Sequence, residues 1–191
     1  MFFFGGKLIE YAASLDYEFC QAHPDKFLDS IFIHSLKLSD GNISDALLFC
    51  SIGTVPYSEF SIKLLPLNFP IKVFIFNQIS EPDFEGMKRN LPVRIFWDSP
   101  QDDFGDKDKI THIFSSAFWS YVTNKNAAYI ISTFVEHFEE GFKIQSNVDN
   151  RDLAANQIGI KFGAFLTERL VMPSEIILKD KSLVYGKDIN N

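Results

Sequence analysis

His112, Glu136, Asp152 and Asn156 bring together the residue types of a small chemical site: one imidazole, two carboxylates and one amide. Imidazole and carboxylate are ligands of borderline and hard divalent cations, so His112, Glu136 and Asp152 form a candidate metal set. Without a metal, His112 or Glu136 would act as general base with Asp152 orienting it. Asn156 would then hold a substrate carbonyl or a developing oxyanion. Either arrangement points to hydrolysis, metal-assisted or acid–base. No H-E-x-x-H, G-x-S-x-G or P-loop pattern is present to name the reaction further.

Helical phase is what must bring these residues together. Positions i, i+4, i+7 and i+11 of a helix share a stripe. Asp152, Asn156, Gly159 and Gly163 fall on one such stripe, and His112, Ser116, Trp119 and Thr123 on another. Tyr129, Ser132, Glu136 and Glu140 fall on a third. Beside them run apolar faces: Ile110, Phe114, Ala117, Phe118 and Tyr121, then Ile130, Ile131, Phe134, Val135 and Phe138. Each helical glycine costs roughly 1 kcal/mol relative to Ala. Two on one stripe imply that another helix or a ligand approaches closely there. The spacing predicts helices over about 108–123, 126–141 and 150–170, short-linked and packed as antiparallel neighbours.

A plainer account fits the same residues. Buried Asp and Asn often tether neighbouring helices, with a histidine as partner. Asp152 also falls in the first turn of its helix, where a carboxylate is favoured anyway. The protein would then be non-catalytic, its polar cluster only fixing helix register. The acidic stretch from Asp98 to Asp108 has calcium-type ligands, but its spacing is not that of an EF-hand. Asp106 or Asp108 is expected to cap the helix carrying His112. His137, His23 and His34 join no such set.

The remainder of the chain frames this unit. Helical spacing recurs over about 6–20, and again after Pro24 through Phe27, Leu28, Ile31, Phe32 and Leu36, with a turn at Asp40-Gly41-Asn42. From about 45 to 98 the pattern changes. Leu47–Ile52 and Ile71–Phe76 read as strands or extended segments, and six prolines between 56 and 100 argue against long ladders. Pro173 is expected to end the last helix, leaving a polar tail. The expected fold is mainly α, of the α+β class, in one domain over 1–191. A C-terminal antiparallel three-helix core over 106–170 would be wrapped by the N-terminal helices and extended Phe- and Pro-rich segments of 1–100.

Composition narrows the partners. A net charge of −7 and scattered Lys and Arg leave no basic footprint for nucleic acid. No apolar run approaches the length of a membrane span, and the N-terminus does not have the pattern of a cleavable signal. Twenty-one Phe residues imply a large rigid core, or an exposed apolar face for a peripheral membrane or protein partner. Cys20 and Cys50 lie in apolar surroundings and read as buried thiols, a bridge between them remaining possible.

Lys109-x-x-His112, a later helix with Glu136, and then Asp152-Leu153-x-x-Asn156-x-x-Gly159 make an ordered pattern. It resembles uncharacterised bacterial helical proteins, the YfiM-type predicted lipoproteins of the cell envelope among them. Domains of unknown function attached to bacterial toxins and secreted proteins are similar. The resemblance covers about residues 106–165 and implies a bacterial, envelope-associated protein with His112, Glu136, Asp152 and Asn156 as the matching positions. It implies no activity. No lipobox cysteine follows an apolar leader, and the Phe- and Pro-rich N-terminal part has no counterpart in that group.

Overall fold

The computed structural model describes residues 2–64, 69–74, 79–141 and 150–179, and side-chain surroundings within 5–58, 79–133 and 150–177. The chain is mainly helical. Its elements are α1 (Phe2–Ser14), α2 (Tyr17–Ala22), α3 (Pro24–Leu38), α4 (Ile43–Gly53), β1 (Glu59–Leu64), β2 (Phe69–Phe74), α5 (Glu81–Asn90), α6 (Lys109–Val122), α7 (Lys125–Gly141), α8 (Asn150–Leu166) and α9 (Pro173–Lys179). The two strands form an antiparallel pair that sets Glu59 opposite Phe74 and Leu64 opposite Phe69. No described helix is long and apolar enough to cross a membrane.

One apolar core runs through both halves of the chain, with Leu8, Phe27, Phe32, Leu47, Phe114 and Phe162 all fully buried. The rings of Phe32 and Phe162 meet edge to face at 5.1 Å, joining α3 to α8. Helix α6 is the central element, packed on α8, α4 and α7.

Several segments differ from their sequence-based expectation. Leu47–Ile52 is helical, not extended, because it lies inside α4. A short apolar run has no periodicity to separate a buried strand from a buried helix. The deciding residue is Asn42, whose side chain accepts from Asp45 N and starts the helix. The region from 79 to 98 contains α5, started by Ser80 accepting from Asp83 N, with Pro82 in its first turn. The first helical pattern is split, because Asp16 accepts from Phe19 N at 2.8 Å and opens α2. Pro173 starts α9 instead of ending a helix. The Asp29 carboxylate of α3 caps it from outside, accepting from Ser174 N at 2.8 Å and Ser174 Oγ at 2.7 Å.

Two amides, the buried Asn90 and the half-buried Gln21, tie α5 and the segment after it to the N-terminal helices. Asn90 Nδ2 donates to the carbonyls of Ala12, Ala13 and Leu15, satisfying the end of α1. Gln21 donates to Leu91 O at 3.1 Å and accepts from Val93 N at 3.0 Å. These bonds fix where the loop leading into α6 begins.

Candidate functional site

Helices α6 and α8 run in the same direction, and a ladder of polar contacts joins them. Lys109 and His112 meet Asp152, Ser116 meets Asn156, and Ser120 meets the Ile160 carbonyl. Along both helices the residue numbers rise together. The glycine stripe of α8 makes this possible. A Cβ at Gly159 would stand 2.1 Å from Ile113 O, and one at Gly163 2.1 Å from Ala117 O. Backbone therefore lies against backbone, which explains two glycines inside a helix despite their poor propensity.

At the N-terminal end of this contact lies the charged cluster. Lys109 Nζ is 2.6 Å from Asp152 Oδ1 and 3.0 Å from Asp108 Oδ2. His112 Nε2 is 3.4 Å from the same Asp152 Oδ1. Asp152 is fully buried and Lys109 is 2% exposed, whereas the His112 side chain is 13% exposed and forms the outer edge. Burial pulls the Lys109 pKa down. Attraction and hydrogen bonds from Asp108 and Asp152 outweigh it, so the ammonium is held more tightly protonated than an ordinary lysine. With a neutral imidazole, two carboxylates face one ammonium and the cluster keeps one excess negative charge. Asp108 Oδ1 is buried and has no hydrogen-bond partner among the described residues.

Asp108, His112 and Asp152 each offer a ligand atom, and these atoms lie within 4.8 Å of one another. This is a candidate metal triad, but not the expected set. His112 and Asp152 do converge. The side chain of Glu136, on α7, lies outside the described residues, as does His137. Asp108 takes the third place. Asn156 is buried one turn beyond Asp152, and its Oδ1 accepts from Ser116 Oγ at 2.7 Å. Ser116 also pairs with Ser132 of α7 at 2.9 Å.

The inward stripe of α6 is Lys109, His112, Ser116 and Ser120. Trp119 is 38% exposed and Thr123 is exposed, so the other two expected members face outward. On α7, Ser132 is buried as the stripe requires, but Ile130 is 68% exposed and Tyr129 56%. Lys109 was missed as a site residue because lysine is rarely buried. Its i, i+3 relation to His112 is the signal that could have placed it there.

The acidic stretch is structural in an unexpected way. Neither Asp106 nor Asp108 caps α6 with its side chain. Asp108 occupies the cap position but turns its carboxylate to Lys109. Asp106 is fully buried, with Oδ2 accepting from Ile95 N at 2.9 Å, Phe96 N at 3.1 Å and Ser99 Oγ. Its Oδ1 accepts from Arg151 Nη1 at 2.8 Å, tying the loop to the start of α8. Cys20 and Cys50 are buried free thiols.

Fold and site together define a helical protein with a buried Asp–Lys–Asp–His cluster between two parallel helices. No protein-family model matches the chain, and no curated protein or solved structure gives a match.

Proposed function

We propose that this protein binds a divalent cation through Asp108, His112 and Asp152, between the start of α6 and the first turn of α8. The observation that carries the reading is Asp108 Oδ1, a buried carboxylate oxygen without a described hydrogen-bond partner beside two other ligand atoms. An excess buried negative charge is unfavourable, and a cation offsets it. Oxygen and imidazole nitrogen suit zinc, manganese and similar ions. The Lys109 ammonium lies against both carboxylates, so the ion would enter by displacing it. We read α6, α7 and α8 as a three-helix core, antiparallel in chain order, in which these ligands lock α6 to α8 at one end.

A bound ion could polarise a carbonyl or acidify a water, which is the chemistry of metal-assisted hydrolysis. With an ion bound His112 is a ligand; without one, His112, the group of the cluster most open to solvent, would act as general base. Asp152, fully buried, would orient it. Cation binding is the primary reading, and hydrolysis would follow from it. The pattern from Lys109 to Gly159 supports an envelope-associated bacterial setting for that role.

Metal analysis of purified protein, with melting curves in added zinc, manganese and calcium, tests the reading. One equivalent of ion and a raised melting temperature are expected. An ion at about 100 times its Kd stabilises by roughly 2.7 kcal/mol. His112→Ala and Asp152→Asn should abolish the shift. No bound ion and unchanged melting in all three metals would remove the proposal.

The 2.6 Å contact of Lys109 with Asp152 favours a second reading. In it the ammonium is the permanent counter-ion and a protonated His112 supplies the remaining charge. The cluster would then serve helix register alone, and metals would leave melting unchanged.

A further inference from the structure

A second feature shares no residue with the cation cluster. Tyr17, Arg89, Arg94, Lys107, Asp102 and Asp103 line an open cleft of about 610 Å³. That volume falls within the range of small-molecule sites. Three cationic side chains line it beside two carboxylates, on a chain whose net charge is −7. We infer that this cleft binds a small phosphate-type dianion, held by Arg89, Arg94 and Lys107.

Three observations carry it. Among the described residues, none of these three cations closes an ion pair with a carboxylate. Arg94 is oriented by a neutral partner, donating from Nη2 to Gln101 Oε1 at 2.8 Å, and keeps its charge for another group. Arg89 Nε donates only weakly, at 3.3 Å, to the Asn90 amide oxygen. The two carboxylates of the lining are partly committed. Asp102 Oδ1 accepts from Phe104 N at 3.0 Å and Gly105 N at 2.7 Å, and Asp103 is exposed. Guanidinium forks match the oxygens of phosphate, and a dianion needs more than one cation.

The walls are also firmly placed. Gln21 and Val93 join α2 to the segment after α5 by a 3.0 Å bond, and Asp106 anchors the opposite loop.

Titration calorimetry of the full chain with inorganic phosphate, and separately with pyrophosphate, tests the site. Saturable binding is expected. Arg89→Ala and Arg94→Ala should each raise Kd about tenfold while melting stays unchanged, since both side chains are exposed. Lys26→Ala, which removes a charge elsewhere, should leave Kd unchanged. No saturable binding of either anion would overturn the inference. So would equal affinity in Arg89→Ala, Arg94→Ala and the parent, or equal weakening by Lys26→Ala. Because Asp108, His112 and Asp152 are untouched, failure here leaves the cation site standing, and failure there leaves this one.

Discussion

The Lys109 ammonium lies 2.6 Å from Asp152 Oδ1, which joins the first residue of α6 to the first turn of α8 inside the protein. Both groups are buried, so each is the other's substitute for water. Breaking such a pair from one side strands a charge, at about 3–5 kcal/mol. Lys109→Met should therefore lower unfolding stability by about that much, measured by denaturant titration. Lys109→Met combined with Asp152→Asn should lose less than the two single losses added together. A single loss below about 1 kcal/mol would show that the pair is not desolvated.

Gly159 should not tolerate alanine. Its Cβ would meet Ile113 O at 2.1 Å, and a backbone carbonyl in a helix cannot rotate aside. The helices must separate, which costs about 1–3 kcal/mol or more. Helix propensity alone predicts the opposite, a gain of roughly 1 kcal/mol. The sign of the change in melting temperature decides between them.

Asp106→Ala should loosen the loop before α6 while leaving the cation ligands in place. It takes the acceptor away from Ile95 N, one of two acceptors from Phe96 N, and a carboxylate partner from Arg151 Nη1. The expected loss is about 3 kcal/mol or more. Hydrogen exchange should quicken at Ile95 and Phe96, and unchanged exchange there would contradict the bonding described.

Alkaline pH should weaken the fold through Cys20. Burial, followed by the nearby Asp16, pushes its thiol from 9.0 up to about 11. The folded state thus favours the protonated thiol. That contribution is complete below pH 9.0, the unfolded value, and is lost as pH rises to about 11. The Lys109 contribution, also from a raised pKa, is complete below 10.5 and disappears only at higher pH. Cys20→Ala should flatten the fall in stability between pH 9 and 11; an identical slope in the variant would exclude Cys20 as its source.

Helical phase made the α8 stripe legible in the sequence. Asp152, Asn156, Gly159 and Gly163 are all buried on the face that meets α6, because a regular helix leaves no freedom in where such positions point. The convergence of His112 on Asp152 was legible for the same reason. Burial of Lys109 was not, since it depends on two carboxylates arriving from different places in the chain. Nor was the role of Asp106, whose partners Ile95, Phe96 and Arg151 meet only when the loop and α8 are packed. The helical state of Leu47–Ile52 was not legible from that run alone, because an evenly apolar run fits either a strand or a helix, and the Asn42 cap that starts α4 lies before it. Local periodicity thus set the inward face of α8 but only part of that of α6, where Trp119 and Thr123 face outward, and long-range electrostatics and packing set which side chains touch.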